Sequence, residues 1–355
     1  TNANSSWTFD DTIDLLGRTT AGSLQVTGLP STSYLASGML VTGPGIPADT
    51  KIDLVLSSTS VRLTKAALVT STTAVLGFMQ TAAVAVGATP LLFVPTGGTA
   101  AITAGRTISS TAGEQSSRIV SSTAVLTAGS PVTGTADPTS KIDVNSTIGR
   151  LVASAPASID VSDSGAIDLF DLRTRTAGGV AVEAQGTITA RSLIATGTTA
   201  SPADVTLTSL LGDVVAASVS SSVGSITLTS PNERVVVRPL GINPGAVVAQ
   251  NGDVTAIANG GGILVQGQVQ AGGADGDITF QSNQAGLTTI APASITASDR
   301  LTVTTPNAVP SLGVGTVVSA KALTLTSQFG ASQTPPAGFG TFSTVNFNRT
   351  DAGDE

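Results

Sequence analysis

The residues that carry most enzyme chemistry are missing from this chain. It has 355 residues and contains no Cys and no His, which excludes histidine-based catalytic triads, thiolate chemistry, haem ligation and the usual zinc sites. Carboxylate chemistry remains. Hydrolysis of a glycosidic bond needs two carboxyl groups that face each other about 5–10 Å apart, and Asp160, Asp163 and Asp168 lie close in sequence. Sites of this kind usually add Tyr or Trp platforms, which this region lacks. We therefore expect solvated corner aspartates and a chain that is not an enzyme.

One glycine-rich segment suggests a metal ion. Gly272-Gly-Ala-Asp-Gly-Asp277 is close to the calcium-binding nonapeptide pattern, but Asp275 stands where that pattern requires Gly. The carboxylates of Asp275 and Asp277 are hard oxygen ligands that could hold one Ca²⁺ at a corner of the chain; the alternative is a plain glycine-rich turn. No other cofactor is expected, because Gly260-Gly-Gly262 lacks the Gly-Lys-Ser/Thr ending of a phosphate-binding loop.

The overall amino-acid composition indicates which type of secondary structure would carry these aspartates. Hydrophobic residues make up 41% of the chain, aromatic residues 3% and charged residues 11%, whereas an ordinary globular chain has about 25% charged residues. The abundant Thr and Val suit a pleated, half-buried surface, and most strong helix formers are scarce. With few aromatic residues, a thin core lined by small branched side chains fits better than a thick globular core. The composition therefore predicts an all-β chain.

The charge distribution limits the partners. The net charge is −7, and no run of Lys and Arg provides the basic surface that nucleic acids or anionic membranes require. Residues 66–105 contain no charged residue, but Thr, Ser, Gly and Pro interrupt them. We therefore expect strands there and no membrane span.

Two regions follow different patterns. Residues 1–100 contain short alternating apolar runs between Gly/Pro turns, which predict small antiparallel β modules. In Gly43-Pro44-Gly45, Pro44 fixes φ and Gly45 can adopt the positive φ of a type II turn. Residues 101–144 share this composition without a clear period, and we treat them as a junction.

A longer string in the first region has a recognisable form. It reads Leu35-Ala-Ser-Gly-Met-Leu-Val-Thr-Gly-Pro-Gly-Ile-Pro-Ala-Asp-Thr-Lys-Ile52, followed by Ser58-Thr-Ser-Val-Arg-Leu63. This resembles a small β module of very large bacterial surface proteins and some phage tail fibres, written G-M-x-V-x-G-x-G-I-P-x-x-T-x-I and then S-V-x-L. Asp49 stands where Gly is common. The resemblance implies surface display and offers no catalytic residue.

From about residue 145 to 330 the chain repeats short strands that mostly open with Gly. Starts at 165, 186 and 212 lie 21 and 26 positions apart, and starts at 224, 252 and 276 lie 28 and 24 apart. Such spacings predict the coils of a parallel β-solenoid, in which each coil buries one row of Ile, Val or Leu against its neighbours. The unequal step from 212 to 224 leaves tandem small β-sandwiches as the alternative. Examples of these strands are Gly165-Ala-Ile-Asp-Leu, Gly186-Thr-Ile-Thr-Ala, Gly224-Ser-Ile-Thr-Leu and Gly276-Asp-Ile-Thr-Phe.

These strands resemble the G-x-I-x-L/V-x-A/S strands of filamentous-haemagglutinin-like adhesins and autotransporter passengers. The resemblance spans roughly residues 145–330. It implies a repetitive bacterial cell-surface protein that is secreted to an extracellular location.

Aromatic residues are concentrated towards the two ends of the chain. Residues 331–355 form a Phe-rich segment in which Phe339, Phe342 and Phe347 are expected to cap the solenoid or contact another subunit. Trp7 and Phe9 are expected to play the matching role at the other end.

Together these features lead to three functional hypotheses. The first is a structural stalk, fibre or surface-layer-type element that self-assembles as a homo-oligomer or polymer. The second is an adhesin that binds a glycan or protein on another cell, and the third is a polysaccharide-degrading enzyme or phage tailspike. The chain begins at Thr1 and shows no signal peptide, so we expect a processed or excised piece of a longer protein.

Overall fold

The chain is built from β-strands. The computed structural model describes residues 5–32, 35, 37–81, 84–86, 99–110, 118–129, 138–308, 310–313, 315–327 and 344–349. Within these ranges no helix is present, and hence no apolar helix of membrane-spanning length. The prediction of an all-β chain is confirmed. Residue contacts divide it into two compact units, one of residues 1–91, 103–117 and 127–141 and one of residues 92–102, 118–126 and 142–355.

The strand bounds are as follows. Before residue 142 the strands are β1 (Ser5–Thr19), β2 (Gln25–Val26), β3 (Leu40–Thr42), β4 (Ile52–Ser57), β5 (Ser60–Leu63), β6 (Ser71–Thr81), β7 (Val84–Val86), β8 (Thr99–Thr103), β9 (Ile108–Ser109) and β10 (Arg118–Thr127). From residue 142 they are β11 (Ile142–Ala155), β12 (Ile159–Asp163), β13 (Ile167–Thr174), β14 (Val180–Ala184), β15 (Ile188–Ala190), β16 (Leu193–Ala195), β17 (Val205–Ser209), β18 (Val214–Ala216), β19 (Ser218–Ser221), β20 (Ile226–Ser230), β21 (Val235–Val237), β22 (Ala246–Ala249), β23 (Val254–Ala258), β24 (Ile263–Val265), β25 (Gln268–Ala271), β26 (Ile278–Ser282), β27 (Leu287–Thr289), β28 (Ser294–Ala297), β29 (Arg300–Thr305), β30 (Val317–Ser319), β31 (Ala322–Ser327) and β32 (Thr344–Arg349).

The first unit is antiparallel, as the hairpin pattern predicts. Strand β6 pairs with β1 and with β3, and β5 pairs with β2 and with β4. We call residues 35–52 and 58–63, which resemble the module of surface proteins, the surface-module string. Its apolar positions form much of the core, because Met39, Val41, Ile52, Val61 and Leu63 are all buried. The string is therefore a folding pattern, in which alternating residues supply one hydrophobic face.

The turn predicted at Gly43-Pro44-Gly45 is confirmed. The backbone N–H of Ile46 donates to the carbonyl oxygen of Gly43 at 3.1 Å, and Gly45 has φ of +71°, as a type II turn requires. Asp49 is the one non-glycine residue with positive φ among those described, at 55°. A left-handed backbone favours Gly, which explains why Gly is common at this position of the module.

From residue 142 onward the described residues form a solenoid of about nine coils, built from parallel strands on three faces. Face A contains the first part of β11, then β12, β14, β17, β20, β23, β26, β29, β31 and β32. Face B contains the middle of β11, the first part of β13, then β15, β18, β21, β24 and β27. Face C contains the end of β11, the end of β13, then β16, β19, β22, β25, β28 and β30. We number coils 1–9 by their first inward residue on face A: Ile142, Ile159, Val180, Val205, Ile226, Val254, Ile278, Leu301 and Leu323.

The register explains the irregular spacing of the sequence repeats. The starts at 165, 186 and 212 all precede face B, and those at 224, 252 and 276 all precede face A. The step from 212 to 224 therefore joins two faces and is not a coil length. Sandwiches are built from antiparallel sheets, so tandem sandwiches do not describe this region.

A column of polar side chains lies inside the solenoid, on face A beside the corner that leads to face B. Its buried members are Ser146, Asp163, Ser209, Ser230, Ser282, Thr305 and Ser327. Ser230 Oγ donates to the carbonyl oxygen of Gly212 at 2.8 Å, and Ser282 Oγ donates to that of Gly261 at 2.9 Å. Burying a hydroxyl group without a hydrogen-bond partner costs free energy. These bonds remove that cost, and they also hold the backbone of the corner in place.

Candidate functional site

The three clustered aspartates lie on one coil and point in different directions. Asp163 belongs to the interior column and is 4% exposed. Its carboxylate accepts hydrogen bonds from Ser146 Oγ at 2.6 Å and from the backbone N–H groups of Ile148 and Gly165, both at 2.8 Å. The expectation of a solvated corner residue is therefore wrong for Asp163, because the corner turns its side chain inward to bind these three donors.

The other two aspartates are on the outside of coil 2. Asp160 is exposed on face A, and Asp168 lies on face B between two arginines. Arg191 Nε is 2.7 Å from Asp168 Oδ1, and Arg150 Nε is 3.4 Å from Asp168 Oδ2. These three carboxylates thus do not form a facing pair across a common cleft.

The two aspartates of the calcium hypothesis differ in their surroundings. Asp275 is exposed, whereas Asp277 accepts the backbone N–H of Arg300 at 2.9 Å. Among the residues that the structure describes, no group of three or more acidic, His or Cys side chains is arranged to hold a metal ion. The calcium site stays a prediction.

Asp277 belongs to a ladder along the corner before face A. In this ladder a side-chain oxygen on one coil accepts a hydrogen bond from the backbone N–H of the residue at the same position on the next coil. Asp204 accepts from Ser225 at 2.8 Å, Ser225 from Asp253 at 3.1 Å, and Asp253 from Asp277 at 2.9 Å. The ladder joins successive coils outside the strands.

A similar contact occurs before face B. Asp213 accepts the backbone N–H of Arg234 at 3.0 Å and its Nη2 at 2.8 Å. The hydrogen bond from the guanidinium to Asp213 raises the pKa of Arg234 above its usual value, because it favours the charged form of the arginine.

The most unusual surface of the solenoid lies where face B turns into face C, on coils 1–3. Here β13 has one more residue than the facing part of β11, because the register shifts between Leu151 and Val152. Phe170 is this extra residue, and its side chain is 45% exposed. The guanidinium carbon of Arg150 lies 4.9 Å from the centre of the Phe170 ring, a cation–π contact.

Further charged groups surround this ring. Arg173 Nε is 2.8 Å from Asp171 Oδ1, and Asp168 holds Arg191 as described above. We call Arg150, Asp168, Phe170, Asp171, Arg173 and Arg191 the Phe170 patch. It presents an apolar ring beside several planar N–H donors, which can stack on an apolar surface and bind carboxylate or sulfate groups.

Sequence reasoning missed the Phe170 patch. Strand alternation does place Phe170 outward, and an outward Phe in a chain with 3% aromatic residues was a usable signal. Arg150 lies on β11, Arg173 on β13 and Arg191 in the turn between β15 and β16, so only the register between coils brings them together.

The residues expected to cap or assemble the solenoid are only partly described. Phe339 and Phe342 lie outside the described residues, as do the side chains of Trp7, Phe9 and Phe347. The backbone of Trp7 pairs with Val84 and that of Phe9 with Ile108. Phe347 lies on β32, which continues face A by parallel pairing with β31. Their role in capping or assembly stays a prediction.

Comparison of the chain with protein-family models, with curated proteins and with solved structures found no match. Function is therefore inferred from the residues and their geometry.

Proposed function

We propose that this chain is a structural element, a stalk, fibre or surface-layer-type segment of a bacterial extracellular protein, and not an enzyme. The observation that supports it best is the parallel pairing that continues on face A from β11 to β32. On coils 1–7 each coil is bonded to the next through strands on three faces, so force along the axis is shared there by many hydrogen bonds at once.

The dimensions make self-assembly part of the proposal. About nine coils at a strand spacing of about 4.8 Å give an axial rise of about 40 Å. A stalk of useful length therefore requires copies joined end to end, or more coils in a longer protein. Closed rings or open filaments both follow from head-to-tail contact.

An extracellular location is supported by the surface chemistry. The outward positions are rich in Ser and Thr, and the chain has no Cys that could form wrong disulfides in an oxidising compartment. The resemblance of the surface-module string and of the solenoid strands to bacterial surface proteins points the same way.

Electron microscopy of the purified chain over a range of concentrations tests this proposal. We expect rods or filaments that lengthen as the concentration rises. Leu228→Asp is the control, because it places a charge in the core of coil 5, where Leu228 is 1% exposed, and should abolish them. Compact globular monomers at every concentration would contradict the proposal.

An adhesin is the second candidate, and the Phe170 patch favours it. The patch concentrates three arginines on a chain whose net charge is −7, and Arg173 and Arg150 have side chains 55% and 47% exposed. The complementary partner is an anionic glycan that carries carboxylate or sulfate groups.

Binding to anionic and neutral polysaccharides of equal length distinguishes this role. We expect binding to the anionic polymer alone, weakened by Phe170→Ala and by Arg191→Gln. Arg234→Gln removes an ion-paired arginine outside the patch that is more exposed than Arg191, at 56% against 35%, and should leave binding unchanged. Equal loss in all three variants would indicate non-specific charge attraction instead.

A further inference from the structure

Face A carries a regular array of threonines on coils 4–9. Its first outward column consists of Thr206, Thr227, Thr255, Thr279, Thr302 and Thr324, which are partners in register from coil to coil. The second column, two positions along each strand, consists of Thr208, Thr229, Ile257, Gln281, Thr304 and Thr326. Ten of the twelve outward positions, all but Ile257 and Gln281, are therefore Thr.

The array is regular, and none of its side chains is charged. Its strand pairs show no register shift over these coils. Thr is β-branched and stiff at χ1, so each hydroxyl and methyl group is held in a narrow range of positions. Outward charges on this face lie on coils 1–3, at Asp143, Asp160 and Glu183, and in the column that precedes the array, at Asp204, Asp253, Asp277 and Arg300.

The threonine hydroxyls of the array are not used by the fold. None of them has a hydrogen-bond partner within the described part of the chain, in contrast to the bonded hydroxyls of the interior column. They are therefore available to an outside partner.

The dimensions and chemistry of the array disfavour a protein partner. Six strands of five residues cover about 25 Å by 16 Å, or about 400 Å², half of the roughly 800 Å² that each side of a stable protein interface buries. The array also lacks the Trp, Tyr and Arg side chains that supply most of the binding energy in such interfaces.

A crystalline water surface fits the array better. Neighbouring threonines are about 4.8 Å apart between coils and about 6.6 Å apart along a strand, a rectangular grid of the same order as the oxygen repeats on a prism face of hexagonal ice, with the nearer match between coils. Hydroxyl groups can join the water lattice, methyl groups can fill its gaps, and a preformed rigid array loses little entropy on binding. We propose that this face of coils 4–9 binds ice.

Ice binding requires only the folded solenoid, so it does not depend on the assembly of copies or on the Phe170 patch. The two positions of the second column that are not Thr provide a further test of the proposal. Ile257 lacks the hydroxyl, and Gln281 is a longer, flexible side chain on a grid of short ones. Both are defects that substitution can repair.

Ice recrystallisation and thermal hysteresis of the full chain test the proposal. We expect smaller ice grains and a measurable hysteresis gap for the wild type, and loss of most of this activity in Thr255→Lys at the centre of the array. Thr189→Lys is the matched control, because Thr189 is a similarly half-buried outward residue, on face B, and should keep full activity. Gln281→Thr combined with Ile257→Thr completes the second column and should increase activity.

The fold of each variant is checked by circular dichroism and by its unfolding temperature, so that loss of structure is not counted as loss of binding. Absence of activity in both the wild type and the repaired variant would overturn the proposal. It would also be overturned if sedimentation showed self-association that Thr255→Lys abolishes without any effect on ice, since the array would then be a contact between copies.

Discussion

At the scale of single residues, the polar groups inside the solenoid determine where its corners turn. Asp163 is the most demanding of them, because a buried charge is tolerated only when donors surround it. Its three donors come from two coils, Ser146 and Ile148 on coil 1 and Gly165 on coil 2. Asp163 thereby links the first two coils through their interior.

Removing this carboxylate should therefore destabilise the solenoid. We expect Asp163→Ala to lower the free energy of unfolding by about 3 kcal/mol, because buried donors lose their acceptor. Asp160→Ala, at an exposed position three residues earlier, should change it by less than about 1 kcal/mol, the usual limit for a surface charge interaction. Denaturant unfolding of both variants measures the difference, and equal effects would show that Asp163 is solvated.

The positive φ of Asp49 gives a second prediction at this scale. Asp49→Gly should raise the unfolding free energy of the first unit by up to about 1 kcal/mol, since a left-handed backbone costs an L-residue about 1–2 kcal/mol. Asp49→Val should lower it, because a β-branched side chain tolerates this backbone least. Thermal unfolding ranks the two variants against the wild type, and the opposite ranking would contradict this account.

At the scale of the strand and its corner, glycines allow neighbouring coils to approach each other. A Cβ added at Gly212 would lie 2.4 Å from the backbone nitrogen of Thr187, whereas one added at Gly165 would come no closer than 3.6 Å to Asp163 Oδ1. Both glycines open a strand of face B, so the sequence alone treats them as equivalent.

The structure separates these two glycines. We expect Gly212→Ala to destabilise coils 3 and 4 measurably, because the backbone must shift to relieve the contact. Gly165→Ala should be neutral or slightly stabilising, since Ala restricts the unfolded chain. Amide hydrogen exchange of the flanking strands reports the local effect, and equal protection in both variants would argue against tight stacking at Gly212.

Packing along face A supplies a further test of the coil register. Phe280 is buried directly above Ala256, so a large side chain on coil 7 is accommodated by a small one on coil 6. Phe280→Ala should cost about 3–5 kcal/mol through the cavity it leaves. Adding Ala256→Leu should recover part of that loss, since the two residues share one space. Strict additivity in denaturant unfolding would place them in separate environments.

Much of the strand pattern could be predicted, and its limits have physical causes. Strings such as Gly224-Ser-Ile-Thr-Leu show one inward residue in two, which fixes strand type and core residues. They do not show which face a strand occupies, because faces A and B both open with Gly. The inward turn of Asp163 and the gathering of arginines around Phe170 depend on the register between coils, which no single strand encodes.

At the scale of the whole molecule, the described solenoid is a one-dimensional stack. Each coil contacts only its neighbours, so stability is approximately a sum of coil terms and nearest-neighbour terms. Partners on face A are 17 to 28 positions apart, with the shortest step between Ile142 and Ile159 and the longest between Ile226 and Val254. If the solenoid has a structural role, its coils should resist a force applied along the stack, and they should unfold one after another.

Force spectroscopy along the stack tests this central claim most directly. The chain has no Cys, so Ser162→Cys on coil 2 and Ser319→Cys on coil 8, both at exposed positions, provide unique attachment points. We expect a series of resisted steps, each releasing about 80 Å for a coil of this length when fully extended. A chain that lengthens smoothly at low force, without steps, would contradict the claim that this solenoid is a mechanical element.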